Sequence, residues 1–541
     1  MKLRNFANKL LLVALLVVMS WGQTAVQFVP VSLHIAADET GVAEKTYYFN
    51  QYNYNEATEQ SLYDALGIPV YNDYLSAIEA TQKLPDIVIA VVDSGLNMMH
   101  PVFDGRVLSQ YAKDFSRGAL NTTIVSNNKW YEDHNGHGTH VAGTIAARNN
   151  NGIGIKSIAG GDGTEDSGVR IMSCQIFAGQ YVATVLDEVR AIKYAADNGA
   201  VILQCSWGYI SSAANPYDWT PQYATDEEWS TYNPLEKQAL DYFSKTAGSP
   251  DGVIDGGIAV YAAGNESAGA SSYPGAYKDY VSVAAMAADF TPATYSNYGP
   301  GTTITAPGGD QDYYYEFGTG TNMGAVGCIL STLPEHRSES EIGGLDADFK
   351  GYGYMEGTSM ATPQVSGVVA LGLSYALQQR KHFKAQEFVE LLHKSASKFD
   401  DSVFNGEKKW YKYVIDMGKN HPSVMAMSGY KGKMGNGYVN AGALLDAIDN
   451  AAAPVMTFPN VTVATGAEKA INPAMYFDKG NTLTYTVSVE NAEIAEAKVV
   501  SGKVVITGKT AGQTNAVIKG GSTEQKFVIT VRSTYSGNGW L

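Results

Sequence analysis

Cysteine is nearly missing: the 541 residues carry three, Cys174, Cys205 and Cys328. An odd count at wide spacing excludes a disulfide framework and gives no metal-ligand pattern. Cys174 and Cys205 each lie in an apolar, strand-like run. A small buried hydrophobe is the expected role there, and a bridge between these two is the pairing left open. Positive charge is short as well, with 38 Lys and Arg against 54 Asp and Glu and a net charge of −16. Such a chain offers no basic patch for nucleic acid or for an anionic membrane surface. Long hydrophobic runs are scarce too. Leu10–Met19 is apolar throughout, but a bilayer span needs ~20 such residues. Lys2, Arg4 and Lys9 lie before or at its start, and Ser20, Gly22 and Ala25 follow, so residues 1–25 read as a secretion signal rather than an anchor. No cysteine follows to carry a lipid, and no other stretch reads as an integral membrane segment.

What is present is ordinary for a globular protein, 45% hydrophobic and 17% charged, and ample for more than one core. From Asp86 onward, apolar runs of strand length alternate with helical stretches. The runs are Ile87–Val92, Val169–Phe177, Ala200–Cys205 and Ile258–Ala262; the helical stretches are His140–Ala147, Tyr181–Asn198 and Leu235–Thr246. Near-continuous apolar strands are those of a parallel sheet buried on both faces. The expected fold is therefore α/β, a doubly wound and mostly parallel sheet that binds ligands at the carboxyl ends of its strands. Asp93 and Asn265 each fall just past such an end.

The segment Gly357-Thr358-Ser359-Met360-Ala361-Thr362-Pro363 leads from a glycine-bearing loop into a helix of small residues, expected over 360–377. A hydroxyl at a helix start lies among unpaired N–H groups and the positive end of the dipole, which stabilise an oxyanion. Serine is a weak nucleophile alone and needs a base and an acid to orient that base. His137, in Asn135-Gly136-His137-Gly138-Thr139-His140, and Asp93, in Val91-Val92-Asp93-Ser94-Gly95, supply both upstream.

These three blocks resemble those of the subtilisin-like serine proteases, the subtilases, and their order Asp, His, Ser is that of subtilisin and not of chymotrypsin. Ala262-Ala263-Gly264-Asn265 and Ser206-Trp207-Gly208 extend the resemblance, which covers roughly residues 86–376, with weaker traces to about residue 446. It implies that Asp93, His137 and Ser359 are catalytic and that Asn265 is the oxyanion-hole donor, with Thr358 in support. It also implies that Ser206, Trp207, Gly208 and Gly264 bind extended substrate. No cofactor is required by this reading. The loop Asn149–Ile155 is similar to the family's calcium loop, yet Val102 stands where the family often has a ligating Asp. Gln364 and Ser366 are milder departures, at positions usually occupied by His and Ala.

Four regions follow from these readings: a signal over 1–25, an N-terminal segment over 26–83, the catalytic domain over 84–450 and a β-sandwich over 451–541. Residues 26–83 leave little room for a prodomain, because Tyr74–Thr81 reads as the catalytic domain's own first helix. Tyr209–Asn233, Gly309–Gly327 and Pro334–Lys350 look like insertions that rim the cleft. After Asn450 short alternating strands begin, with apolar Leu483, Tyr485, Val487 and Val489, then Phe527, Ile529 and Val531, and a turn at Ser501-Gly502-Lys503. The stretch Met475–Val487 is similar to cadherin-like or immunoglobulin-like modules, which implies a spacer or contact with a cell surface or matrix. His134, His137 and His140 are spaced three apart, but Gly136 and Gly138 break a helix that would align them on zinc. The expected protein is a secreted or cell-surface endopeptidase acting on proteins or peptides. The alternatives are an idle scaffold that binds peptides and an adhesin working through its C-terminal module.

Overall fold

The computed structural model describes residues 87–533, except 117–121, 124–132, 134, 164–166, 179–181, 210–211, 216–217, 221, 311–327, 335–350 and 415–418. The signal, the segment 26–83 with its helix at Tyr74–Thr81, His134 and most of the loops Gly309–Gly327 and Pro334–Lys350 lie outside the described residues.

Eight strands form the main sheet: β1 (Val88–Asp93), β2 (Lys113–Asp114), β3 (Thr122–Thr123), β4 (Arg170–Gln175), β5 (Ile202–Cys205), β6 (Ile258–Ala262), β7 (Val281–Met286) and β8 (Ile304–Pro307). Their order is β8-β7-β6-β5-β1-β4-β2-β3. Neighbours are parallel throughout, apart from the antiparallel edge pair β2–β3. Side chains on β1 alternate between two cores. Ile89 and Val91 pack with Val141, Ile145, Val365 and Val368, whereas Val88, Ala90 and Val92 pack with Ala191, Ile192, Leu240 and Phe243. The helices behind those residues are α1 (His137–Ala146), α2 (Val185–Asp197), α3 (Asp226–Tyr232), α4 (Pro234–Thr246) and α5 (Thr358–Gln378). Helices on both faces are what a strand as apolar as β1 requires.

The chain leaves β1 for one edge of the sheet and returns through β5 to build the other. The strand order therefore reverses between β1 and β5, and the crevice beyond their carboxyl ends is the ligand-binding place of such a sheet. Helix α5 has the length and the mean hydropathy, 1.2, of a membrane span, but 94% of that window is buried, so it serves as the core helix. It tolerates close neighbours because it is built of small residues: a Cβ on Gly367 would lie 2.9 Å from Ile158.

Two expectations change. All three cysteines are free and buried, and β1 lies between Cys174 on β4 and Cys205 on β5, so the pairing left open does not form. Burial pushes the Cys174 thiol up to about 12, leaving it a hydrophobe rather than a nucleophile. Helix α1 starts at His137 and not at His140, because Gly136 takes φ 84° as its N-cap instead of breaking it.

Farther along come α6 (Ala385–Ser395), a hairpin of β9 (Glu407–Val414) and β10 (Lys419–Ala426), and α7 (Ala441–Asn450). The remainder is all β: β11 (Val461–Ala464), β12 (Glu468–Ile471), β13 (Tyr485–Val489), β14 (Ala495–Val500), β15 (Lys503–Gly508), β16 (Gly512–Gly520) and β17 (Thr523–Arg532). They form two sheets, β11-β17-β16-β13 and β12-β15-β14. Phe527, Ile529 and Val531 are buried at alternate positions of β17, the period of a half-buried strand. Ser501 and Gly502 join β14 to β15 with φ of 49° and 78°, the two positive values of a tight hairpin turn.

A buried ion pair ties the β9–β10 hairpin to the main body. Lys408 Nζ lies 3.0 Å from Asp310 Oδ2 and donates to the Pro292 carbonyl at 2.7 Å. Thr294 donates to the same carboxylate through its backbone N–H at 3.0 Å and its hydroxyl at 2.7 Å. Removing one partner leaves the other charge buried and unpaired. Lys408→Ala is expected to cost about 3–5 kcal/mol of unfolding free energy, measured by chemical denaturation.

Candidate active site

Ser359 is the second residue of α5, and its side chain is half-buried at the mouth of the crevice. Four residues on, Pro363 lies inside the helix. A proline has no N–H to give to the carbonyl of residue i−4, which here is Ser359. That carbonyl instead accepts the Ser206 hydroxyl at 2.7 Å, from the segment leaving β5. The Ser359 hydroxyl in turn donates to the Ser206 carbonyl at 3.0 Å. The two residues thus hold each other through a reciprocal pair of bonds. The single hydroxyl proton of Ser359 is aimed at Ser206, so a rotation about its Cβ–Oγ or Cα–Cβ bond is needed to aim it elsewhere.

His137 opens α1, and its Nδ1 lies 2.7 Å from Oδ1 of Asp93, the last residue of β1. The Asp93 carboxylate is buried and also accepts the Ser94 backbone N–H at 2.6 Å. Backbone contact between helix and strand end sets this spacing. A Cβ on Gly138 would lie 2.1 Å from the Gly95 carbonyl oxygen, so only glycine fits there.

A residue missed by sequence reasoning completes the arrangement. Asp133 is fully buried and accepts five hydrogen bonds, from Ser94 Oγ (2.8 Å), Asn135 N (3.1 Å), Gly136 N (2.8 Å), Thr139 N (2.9 Å) and Thr139 Oγ1 (2.6 Å). It caps the first turn of α1, where unpaired N–H groups favour a negative charge. Ser94 Oγ also accepts Gly138 N at 2.9 Å, which links Asp133 to the turn after β1. Burial pushes the Asp133 carboxyl up while its hydrogen bonds oppose this. The available signal was an acid four residues before His137 in a polar loop, too common a pattern to single out.

Asn265 follows β6. Its Oδ1 accepts both the backbone N–H of Thr358 at 2.9 Å and the Thr358 hydroxyl at 2.7 Å. With the oxygen occupied, the amide nitrogen is the free end, near the start of α5. Thr358 Oγ1 also accepts the Gly264 N–H at 3.2 Å, so one hydroxyl orients two residues. Gly264 takes φ 109°, and a Cβ there would lie 2.2 Å from the Asn297 amide nitrogen. Gly208 is exposed, and Trp207 is pinned by its indole N–H to the Val92 carbonyl at 2.7 Å. Asp93, His137, Ser359, Asn265, Ser206, Trp207, Gly208 and Gly264 therefore all gather around the carboxyl ends of β1, β5 and β6.

His140 and the loop Asn149–Ile155 are held by hydrogen bonds of their own. His140 is buried with Nε2 3.0 Å from the carbonyls of both Ile329 and Gly353, so that nitrogen carries the proton. Burial lowers its pKa to about 3, which keeps the ring neutral. In the loop Asn149–Ile155, the amide oxygen and nitrogen of Asn149 are both used on Ser157, at 2.7 and 3.2 Å. Asn151 Oδ1 accepts Ile153 N at 3.1 Å, and Val102 is fully buried. The amide oxygens of Asn149 and Asn151 are thus spent within the loop, and position 102 offers no carboxylate. Among the described residues no group of three or more His, Cys, Asp or Glu side chains is placed to hold a metal.

Comparison with known proteins identifies the family. Residues 85–425 match the model described as the subtilase family. A thermophilic serine proteinase of Bacillus sp. (strain AK1) is 29% identical over 320 residues, 59% of this chain and 59% of that protein. Fervidolysin of Fervidobacterium pennivorans is 30% identical over 369 residues, 64% of this chain and 43% of its own. A cell wall-associated protease of Bacillus subtilis (strain 168) is 28% identical over 332 residues, 61% and 28% respectively. The chain therefore spans well under two thirds of the length of these relatives. Among solved structures, a lanthipeptide protease covers 73% of this chain at 22% identity, with a TM-score of 0.47.

Burial alone would lower the pKa of His137, but the charge and hydrogen bond of Asp93, with the charge of Asp133, more than offset it and raise the value. The imidazole is thus expected to titrate, by NMR, with a midpoint above the ordinary 6.5. Replacing Asp133 by Asn should move that midpoint down, because one of the two raising charges is gone.

Proposed function

The chain belongs to the subtilase family, and from that premise we propose that it is a secreted serine endopeptidase working through an acyl-enzyme. The carrying observation is the 2.7 Å bond between His137 and Asp93, beside a serine at a helix start. Ser359 Oγ turns from Ser206 toward His137, loses its proton to Nε2 and attacks the scissile carbonyl. Asp93, bonded to Nδ1, keeps the ring in the tautomer whose Nε2 accepts and stabilises the imidazolium that forms. The oxyanion takes hydrogen bonds from the Asn265 amide and the Ser359 backbone N–H at the positive end of α5. His137 then protonates the leaving amine, and water attacks the acyl-enzyme by the reverse route. Ser206–Gly208 and Gly264 bind the substrate as added strands.

Export is supported by the signal over residues 1–25 and by a relative named for the cell wall. The catalytic domain is assigned to 84–450 after an N-terminal segment at 26–83. The two sheets after Val461 are read as a cadherin-like or immunoglobulin-like sandwich, residues 451–541, that contacts a cell surface or matrix. No cofactor is needed, and the loop Asn149–Ile155 is held by its own hydrogen bonds instead of calcium.

Ser359→Ala is expected to abolish peptide hydrolysis, as should a sulfonyl fluoride on the unmodified protein. Asn265→Ala should lower kcat on the order of 10²–10³, a magnitude taken from the corresponding donor in subtilisin. A folded protein without hydrolysis across a broad peptide library would instead favour the peptide-binding scaffold. If the loop needs no calcium, a chelator will leave the melting temperature unchanged; a fall would restore the metal site.

A further inference from the structure

Helices α2 and α4 bring two carboxyl groups together inside the protein. Glu188 on α2 is 7% exposed and Glu236 on α4 is 0% exposed. Glu236 Oε2 accepts the Tyr209 phenol at 2.9 Å and the Trp229 indole N–H at 3.2 Å. Its other oxygen, Oε1, and Oε2 of Glu188 are buried without a donor. The two helices pack against each other, and the charge of Glu236 bears on Glu188. One proton between them gives both orphaned oxygens a partner, whereas two ionised carboxylates would leave like charges buried side by side.

Tyr209 joins this pair to the segment whose Ser206 bonds to Ser359. Tyr209 follows Ser206-Trp207-Gly208 in the chain and is fixed at both ends. Its hydroxyl meets Glu236 and Asn233, and its backbone N–H donates to the Tyr273 carbonyl at 2.8 Å. Trp229, the second donor to Glu236, stacks on Tyr273 with ring centroids 5.6 Å apart.

We propose that Glu188 and Glu236 share a single proton and act as positioning residues for the segment Ser206–Tyr209 that leaves β5, so that peptide binding weakens when that proton leaves. The proposal rests on the peptidase reading above. Burial raises both carboxyls, and the like charges of Glu236 and Asp187 raise Glu188 further. The titratable groups facing the pair are Asp187 on α2, Tyr209 beside the cleft, Cys205 at the end of β5, Tyr261 on β6 and Tyr280 before β7. None of them is a cation, and Lys237, next along α4, is engaged by Asp241. Because the folded values are raised, the shared proton is present at low pH and is lost as pH rises through them, on the alkaline side. Its loss drives α2 and α4 apart and withdraws the acceptor that fixes Tyr209.

The test measures KM and kcat against pH for the unaltered protein, Glu188→Gln and Tyr209→Phe. In the unaltered protein KM should climb by up to about tenfold per pH unit once the proton leaves, the limit for a single proton, while kcat stays level. In Glu188→Gln the amide donates to Glu236 in place of the proton, so KM should stay level; Glu236→Gln does the same if the first variant does not fold. Tyr209→Phe should also flatten KM, since it cuts the link while keeping the pair. A rise in KM for Glu188→Gln or Tyr209→Phe equal to that of the unaltered protein overturns the proposal. A second readout is independent of turnover: tryptophan fluorescence of Ser359→Ala against pH. An alkaline transition that disappears when Glu188→Gln is added supports the shared proton, and one that persists overturns it. Absent hydrolysis with that transition intact counts against the peptidase reading alone.

Discussion

Helix α1 touches the turn after β1 backbone to backbone, at a distance that leaves no space for a side chain on residue 138. The rest of the site depends on that contact. It fixes the first residue of a helix, His137, against the last residue of a strand, Asp93, and both elements are rigid. A loop-borne histidine would need more hydrogen bonds to reach the same precision. Here the imidazole needs one, because the packing of α1 on the sheet does the remaining work. Ser94 and Asp133 then close the gap from the other side, so neither backbone is free to slide.

Acidic residues outnumber basic ones, and three buried sites show three ways of carrying such a group. Asp133 is surrounded by donors, four of them in or next to the first turn of a helix. Asp310 is matched by the ammonium of Lys408 and by Thr294. Glu188 Oε2 and Glu236 Oε1 have neither solution available, and a proton is the remaining one. Each solution answers to different conditions. Temperature acts on the ion pair, which burial shields from salt, pH acts on the proton, and the capped carboxylate fails only when the helix start itself opens.

The sequence made the sheet legible where strands were apolar throughout, as at Ile87–Val92, since no other element buries both faces in so few residues. Gly264, Asn265 and the segment around Ser359 were legible because glycine and small residues mark places where backbones approach. The start of α1 was misjudged because Gly136 and Gly138 read as breakers, whereas one is an N-cap in the left-handed region and the other a contact point. Asp133, Glu188 and Glu236 were not legible at all. An acid in a polar loop, or on a helix with a mixed face, has the pattern of a solvated charge, and only three-dimensional neighbours show otherwise. The β9–β10 hairpin escaped for a related reason: Lys408 and its charged neighbours disguise a strand whose lysine points inward. Tyr209–Asn233 was expected at the cleft rim, yet Trp229 within it is fully buried, so the segment is part of the core as well as of the surface.

Pro363 is the residue that leaves the first turn of α5 chemically incomplete. A regular helix satisfies its own carbonyls and is indifferent to what lies beside it. This one has a vacancy at Ser359, and the vacancy is filled from a separate part of the chain, by Ser206. Any amino acid with an N–H at position 363 would let the helix close on itself and turn Ser206 into a competitor for a bond it now owns. The imino acid thus converts a local defect into a coupling: the segment leaving β5 and the serine at the start of α5 form one mechanical unit, assembled only when both are in place.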